Sequence, residues 1–203
     1  MITLIFIIIF GLAALKFSKF IRNKQVVLYM IAAVFSIFAF VKFDVPFLKP
    51  ITQGFMALAI FYIVMMAGAL PKKNKLKIAF MSVRKEYSIL GFIIATPHGL
   101  HYIIEYLNGE ISIPIFGIIA YAIMIPLFIT SFSVIRKMMS YRSWKLLQRF
   151  AYVVYTLLVI HLILNFSLKI NLVLYVVMFL TYIILKTIKV LSKVALNKKS
   201  FQD

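Results

Sequence analysis

The chain has 203 residues, 64% of them hydrophobic, 16% aromatic and only 14% charged, with a mean hydropathy of +1.04. A soluble domain is about half apolar and a quarter charged, so these residues read as an integral membrane protein and exclude a sizeable soluble domain, including a fused nucleotide-binding or catalytic one. With no Cys, disulfides, thiolate clusters and covalent heme attachment are excluded too, and metal chemistry falls to three His and five acids.

At roughly 20 apolar residues per crossing, hydropathy predicts a single all-α domain over residues 1–203, a polytopic transmembrane bundle of about seven helices. The first span, about Ile2–Leu15, lacks a basic leading segment and an Ala-x-Ala-like site, and its charges follow the apolar run. It reads as a retained helix, not a signal peptide. Four basic residues (Lys16, Lys19, Arg22, Lys24) precede the second span, Val26–Val41. The third, Ile51–Leu70, is followed by six more (Lys72, Lys73, Lys75, Lys77, Arg84, Lys85), then by the fourth, Tyr87–Leu107, and the fifth, Ile113–Ile135. Five (Arg136, Lys137, Arg142, Lys145, Arg149) lead into the sixth, Leu146–Phe166, and five (Lys186, Lys189, Lys193, Lys198, Lys199) follow the seventh, Leu172–Leu185. Only Lys42, Lys49 and Lys169 lie in the opposite loops, a split of 20 to 3. The positive-inside rule then puts the N-terminus outside and the C-terminus in the cytoplasm of a cell-membrane protein. The net charge of +18 is thereby spent on topology and anionic lipid, and no nucleic-acid partner is expected.

An ionisable group within the bilayer is a functional hypothesis by default. The fourth and sixth spans hold all three histidines, His98, His101 and His161. His101 lies 15 residues after Glu86 and His161 lies 15 after Leu146, so on parallel helices both stand roughly 22 Å above the inner surface. Two neutral imidazoles at one depth suit the axial sites of a heme between helices. His98, one turn below His101, and Glu105, one turn above, would extend the set toward a metal or proton site. Hydrogen bonding inside the bundle is the third reading, and spacing alone leaves the three open.

The stretch RKEYSILGFIIATPHGLHY, Arg84–Tyr102, resembles a helix of the ferric reductase-like transmembrane family that opens with a basic pair, has a Leu-Gly shortly after, and bears a heme-ligating His ten residues beyond the Gly. WKLLQRFAYVVYTLLVIHLI, Trp144–Ile163, is similar to that family's later helix, with a Trp, a Leu-His-Arg, a Tyr and a second His thirteen residues after the first. Within the family the likeness is nearest to the heme-binding membrane subunits of bacterial periplasmic methionine sulfoxide reductase systems. It covers residues 26–189, a six-helix heme-binding core, and leaves the first helix as an addition.

The resemblance implies a b-type cytochrome with one noncovalent heme, its iron held by His101 and His161. Gly91 matches the family Gly and Trp144 the loop Trp, but the Leu-His-Arg is here Leu147-Gln148-Arg149. Gln148 and Ser88, each thirteen residues before an outer His, stand where two-heme members carry inner ligands, so an inner heme is not expected. The chain would be the electron-transfer subunit of an oxidoreductase system. With no nucleotide-binding domain in these residues, electrons would come from membrane quinol or a cytoplasmic flavoprotein and leave to an extracytoplasmic reductase subunit, flavoprotein or ferric iron. Quinone or flavin is a conceivable second cofactor. The competing class is a small polytopic transporter or membrane scaffold with a His-based proton or metal site.

His98 follows Pro97, which frees a backbone carbonyl nearby, so it reads first as a hydrogen-bonding residue, with heme contact or ligation as the sharper roles. Arg84, Lys85, Arg142 and Arg149 read as inner-surface anchors, Arg149 also as a partner for a heme propionate or flavin phosphate. Glu105 and Glu110 read as solvated, or as sites of proton uptake or partner docking. Gly91, Gly99 and Gly117 would permit close approach of a macrocycle or simply of another helix.

Overall fold

The computed structural model describes residues 2–71, 73–165 and 169–199, and among these every regular element is helical. In chain order they are α1 (Ile2–Asn23), α2 (Gln25–Val41), a 3-10 turn at Pro46–Leu48, α3 (Lys49–Thr52), α4 (Phe55–Ala69), α5 (Lys75–Ser82), α6 (Arg84–Leu107), α7 (Ile115–Ile129), α8 (Ser133–Lys137), α9 (Tyr141–Gln148), α10 (Phe150–Asn165) and α11 (Lys169–Lys199).

Among the described residues, five stretches are long and apolar enough to cross a membrane: Ile2–Asn23, Pro46–Ala69, Arg84–Leu107, Tyr141–Asn165 and Leu172–Ser192. The expectation of about seven is therefore met by five of that length. The second and fifth spans form helices of 17 and 15 residues, about 25 and 22 Å long against a hydrocarbon core of about 30 Å. α7 ends at Ile129 with Thr130 as its C-cap, after which the chain turns into α8. The first span instead overruns its expected end at Leu15 and continues to Asn23 through non-helical backbone at Phe17. Phe166, the expected end of the sixth span, lies outside the described residues.

α4 is apolar on all sides, the pattern of a helix surrounded by protein, and ten of its fifteen residues are buried. Around it pack α1, α5, α6 and α11, while α2 lies on α6 and α7 pairs with α10. Two lysines close its C-terminal end, Lys77 donating to the Leu70 carbonyl at 3.2 Å and Lys189 to the Gly68 carbonyl at 2.6 Å, as the negative end of a helix favours. Elsewhere the apolar side chains face outward, Val34, Leu107 and Val173 among them, which suits a lipid-facing surface. Few polar groups cross between helices. Thr3 and Tyr175 share a hydrogen bond of 2.9 Å, and the Tyr87 hydroxyl donates to the Phe10 carbonyl at 2.8 Å.

Candidate functional site

Helices α4, α6, α7 and α10 enclose two cavities. The larger, about 680 Å³, falls in the size range of small-molecule and cofactor sites. It lies toward the C-terminal halves of α6 and α10 and is bounded by the Ile111–Pro114 loop. The smaller, about 50 Å³, lies at the Arg84 and Gln148 ends of the same helices. Phe61 and Met124 line both. Phe92 fills the layer between, stacked on Tyr121 at 5.3 Å and on Phe128 at 4.4 Å.

His98 and His161 both line the larger cavity, their ring centres 6.3 Å apart and their planes at 76°. His98 Nδ1 lies 2.9 Å from the Thr52 carbonyl oxygen. A carbonyl only accepts, so Nδ1 carries the proton and Nε2 is left with its lone pair. That carbonyl is aimed by the break between α3 and α4, where Gly54 takes φ +73°. A side chain at Gly54 would put its Cβ 3.3 Å from the His98 ring. On α10, His161 Nδ1 lies 3.3 Å from the Asn165 amide nitrogen, which donates to the His161 carbonyl at 2.7 Å. Gly117 of α7 backs the His161 ring so closely that a Cβ would lie 3.0 Å from Cε1.

His101 does not line this cavity. Its ring is stacked on Phe43 at 3.3 Å, and its Nε2 lies 3.0 Å from a Glu105 carboxylate oxygen. The depth argument that selected His101 left out direction around the helix. Three residues turn a helix by roughly 300°, which leaves the two side chains about 60° apart; with His98 on the cavity, His101 lies against Phe43, in the segment after α2. The structure thus brings His98 to His161 and leaves His101 aside. The signal for His98 in the sequence was Pro97 before it, which does not say which helix the ring faces.

The other expected residues fall into place around this pair. Arg149, at the C-terminal end of α9, is twelve residues from His161, about 18 Å along a helix, and is absent from the lining of either cavity. It is not positioned to hold a group in the larger one. Ser88 donates to the Arg84 carbonyl at 2.8 Å, and Gln148 reaches the Thr130 hydroxyl at 3.4 Å; both line the small cavity. Trp144 donates to the Thr130 carbonyl at 3.2 Å beneath the Arg136 guanidinium. Gly91 accommodates the Phe61 ring and Gly99 the Tyr121 ring. Glu105 is paired with His101, and Glu110 accepts from Asn108 at 3.2 Å.

Metal–imidazole bonds of about 2 Å set two ring centres on opposite sides of one ion about 6 Å apart, and the observed 6.3 Å fits. Among the described residues no three His, Cys, Asp or Glu side chains converge, so the donor set for a three- or four-ligand protein site is not assembled. Two imidazoles beside a large, mostly apolar cavity suit a macrocycle that brings its own equatorial nitrogens.

The profile of a family described as ferric reductase like transmembrane component matches residues 53–159. An uncharacterised protein of Treponema pallidum (strain Nichols) is 32% identical over 166 residues, which is 72% of this chain and 46% of that protein. The chain therefore spans about half the length of this relative. No solved structure matches the chain.

Proposed function

The chain belongs to the ferric reductase-like transmembrane component family, and on that premise we propose that it is a membrane electron-transfer subunit holding one b-type heme between His98 and His161. The observation that carries the ligand pair is the shared cavity of about 680 Å³ with these two rings 6.3 Å apart and His101 outside its lining. This reading keeps His161 from the sequence expectation and exchanges His101 for its neighbour one turn below.

When bound, heme supplies a reversible one-electron couple. The residues of the chain orient and shield it. The Thr52 carbonyl fixes the His98 tautomer so that Nε2 keeps its lone pair, an outer partner of the kind that sets ligand basicity. Phe61, Leu58, Met124 and Leu158 exclude water from the cavity walls. Polar side chains, Gln53, Ser112 and Asn165, supply hydrogen-bonding groups on its lining.

Electrons arrive from membrane quinol or a cytoplasmic flavoprotein and leave to an extracytoplasmic acceptor: a reductase subunit such as that of a methionine sulfoxide system, a flavoprotein, or ferric iron as substrate. The core spans residues 26–189. All seven apolar helices cross, the two short ones by local thinning of the bilayer, with the N-terminus outside and the C-terminus in the cytoplasm. The 20-to-3 basic split supports that orientation.

Absorption spectra of the purified full chain, oxidised and then reduced, test the reading. The expected spectrum is low-spin with two imidazoles; His98→Ala and His161→Ala each lose the heme or turn it high-spin, and His101→Ala keeps it. Loss with His101→Ala and retention with His98→Ala would reinstate the pair chosen by depth. A wild-type protein that takes up no heme would end the proposal.

A further inference from the structure

Two imidazoles on one metal can cross at any angle, since rotation about the bond to the ring is soft. Here the planes stand at 76°; the His98 ring is held from two sides and the His161 ring is crowded from one. On His98, the Thr52 carbonyl lies 2.9 Å from Nδ1, and the backbone at Gly54 lies so close that a Cβ would meet Cδ2 at 3.3 Å. On His161, a Cβ on Gly117 would meet Cε1 at 3.0 Å and Nδ1 at 3.1 Å. Both glycines therefore occupy places where a methyl group would push on an imidazole.

We propose that Gly54 and Gly117, with the Thr52 carbonyl, are positioning residues that lock the two axial imidazoles close to perpendicular and so set the electronic structure of the iron between them. This rests on the assignment of His98 and His161 as ligands. An imidazole donates π density perpendicular to its own plane. Parallel rings load the same metal orbital and split the pair, which stabilises the ferric ion. Crossed rings load one orbital each and leave the two nearly equal in energy. A low-spin ferric ion with nearly equal orbitals has one g value far above the other two, and its midpoint potential is higher than that of the parallel-ring form.

Low-temperature electron paramagnetic resonance of the oxidised, heme-loaded full chain tests this, with potentiometric titration of the same samples. The wild type is expected to show the single strongly anisotropic low-spin signal. Gly117→Ala is expected to displace or split that signal and to shift the midpoint, with heme content unchanged. Gly68→Ala is the control, because a Cβ there meets nothing within 4 Å, and should leave signal and midpoint as in the wild type. Gly54→Ala is not decisive, since its left-handed backbone strains any other residue; Gly117→Ala carries no such strain. A wild-type signal of the parallel-ring type, or one that Gly117→Ala does not move, would overturn the inference. A His98→Ala protein that stays low-spin would overturn the ligand assignment beneath it, whatever the wild-type signal.

Discussion

Pro97 shows how one residue creates an obligation that another must meet. Lacking an N–H, it leaves the carbonyl of Ile93, four positions earlier, without its helical partner. The Ser36 hydroxyl of α2 donates to that carbonyl at 2.9 Å, and in lipid no water would do so. Ser36→Ala is expected to destabilise the protein by about 1–2 kcal/mol, the price of an unpaired buried carbonyl, and Ser36→Thr to restore most of it. Thermal unfolding in detergent measures both, and an Ala variant as stable as wild type would show the carbonyl satisfied by other means. At this scale the sequence displayed the residue types and their depth: three histidines in two spans and a proline beside one of them. It did not display direction. His98 and His101 differ by three positions and face different neighbours, and only packing reveals which one meets α10.

Among the elements, apolar runs and basic clusters were legible because both follow from composition along the chain. The fourth span, expected at Tyr87–Leu107, is Arg84–Leu107. Breaks were not legible. The third span was read as continuous from Ile51, yet the chain turns at Gly54 in a left-handed conformation, and this break presents the Thr52 carbonyl to His98. Hydropathy averages over such a residue. The fifth span was read through to Ile135, whereas α7 ends at Ile129 and the chain turns before α8 begins at Ser133. The topology drawn from the charges is open to a direct test. Reporter fusions at Lys75 and Asp203 should be active in a cytoplasm-dependent reporter and silent in an exterior-dependent one. Exterior activity at either position would invert the map and move the larger cavity to the other face.

For the whole molecule, the two cavities between the same four helices differ more than tenfold in volume. At the smaller one, Ser88 and Gln148 are engaged in local hydrogen bonds, and Phe92 and Phe128 stack across the space above them. One heme per chain is therefore expected, measured as pyridine-extracted heme against protein concentration; a ratio near two would contradict it. Gln148→His should not produce a second low-spin species, because about 50 Å³ holds a few waters at most. The sequence made half of this visible, by placing weak ligands at positions 88 and 148. The aromatic packing that fills the remaining volume comes from two separate helices, α6 and α7, and has no signature in either of them.

Among the described residues, the larger cavity has no charged side chain on its lining. An electron stored there raises the electrostatic self-energy of a region with low polarisability and no fixed counter-ion, so the work of charging falls on solvent and on whatever docks at the rim. A cation introduced at that rim should lighten this work. Ser112 is exposed and borders the cavity, and Ser112→Lys is expected to raise the midpoint potential by an amount that shrinks as salt is added. A partner bringing positive charge to the same place would do likewise, making docking itself a means of drawing the electron outward.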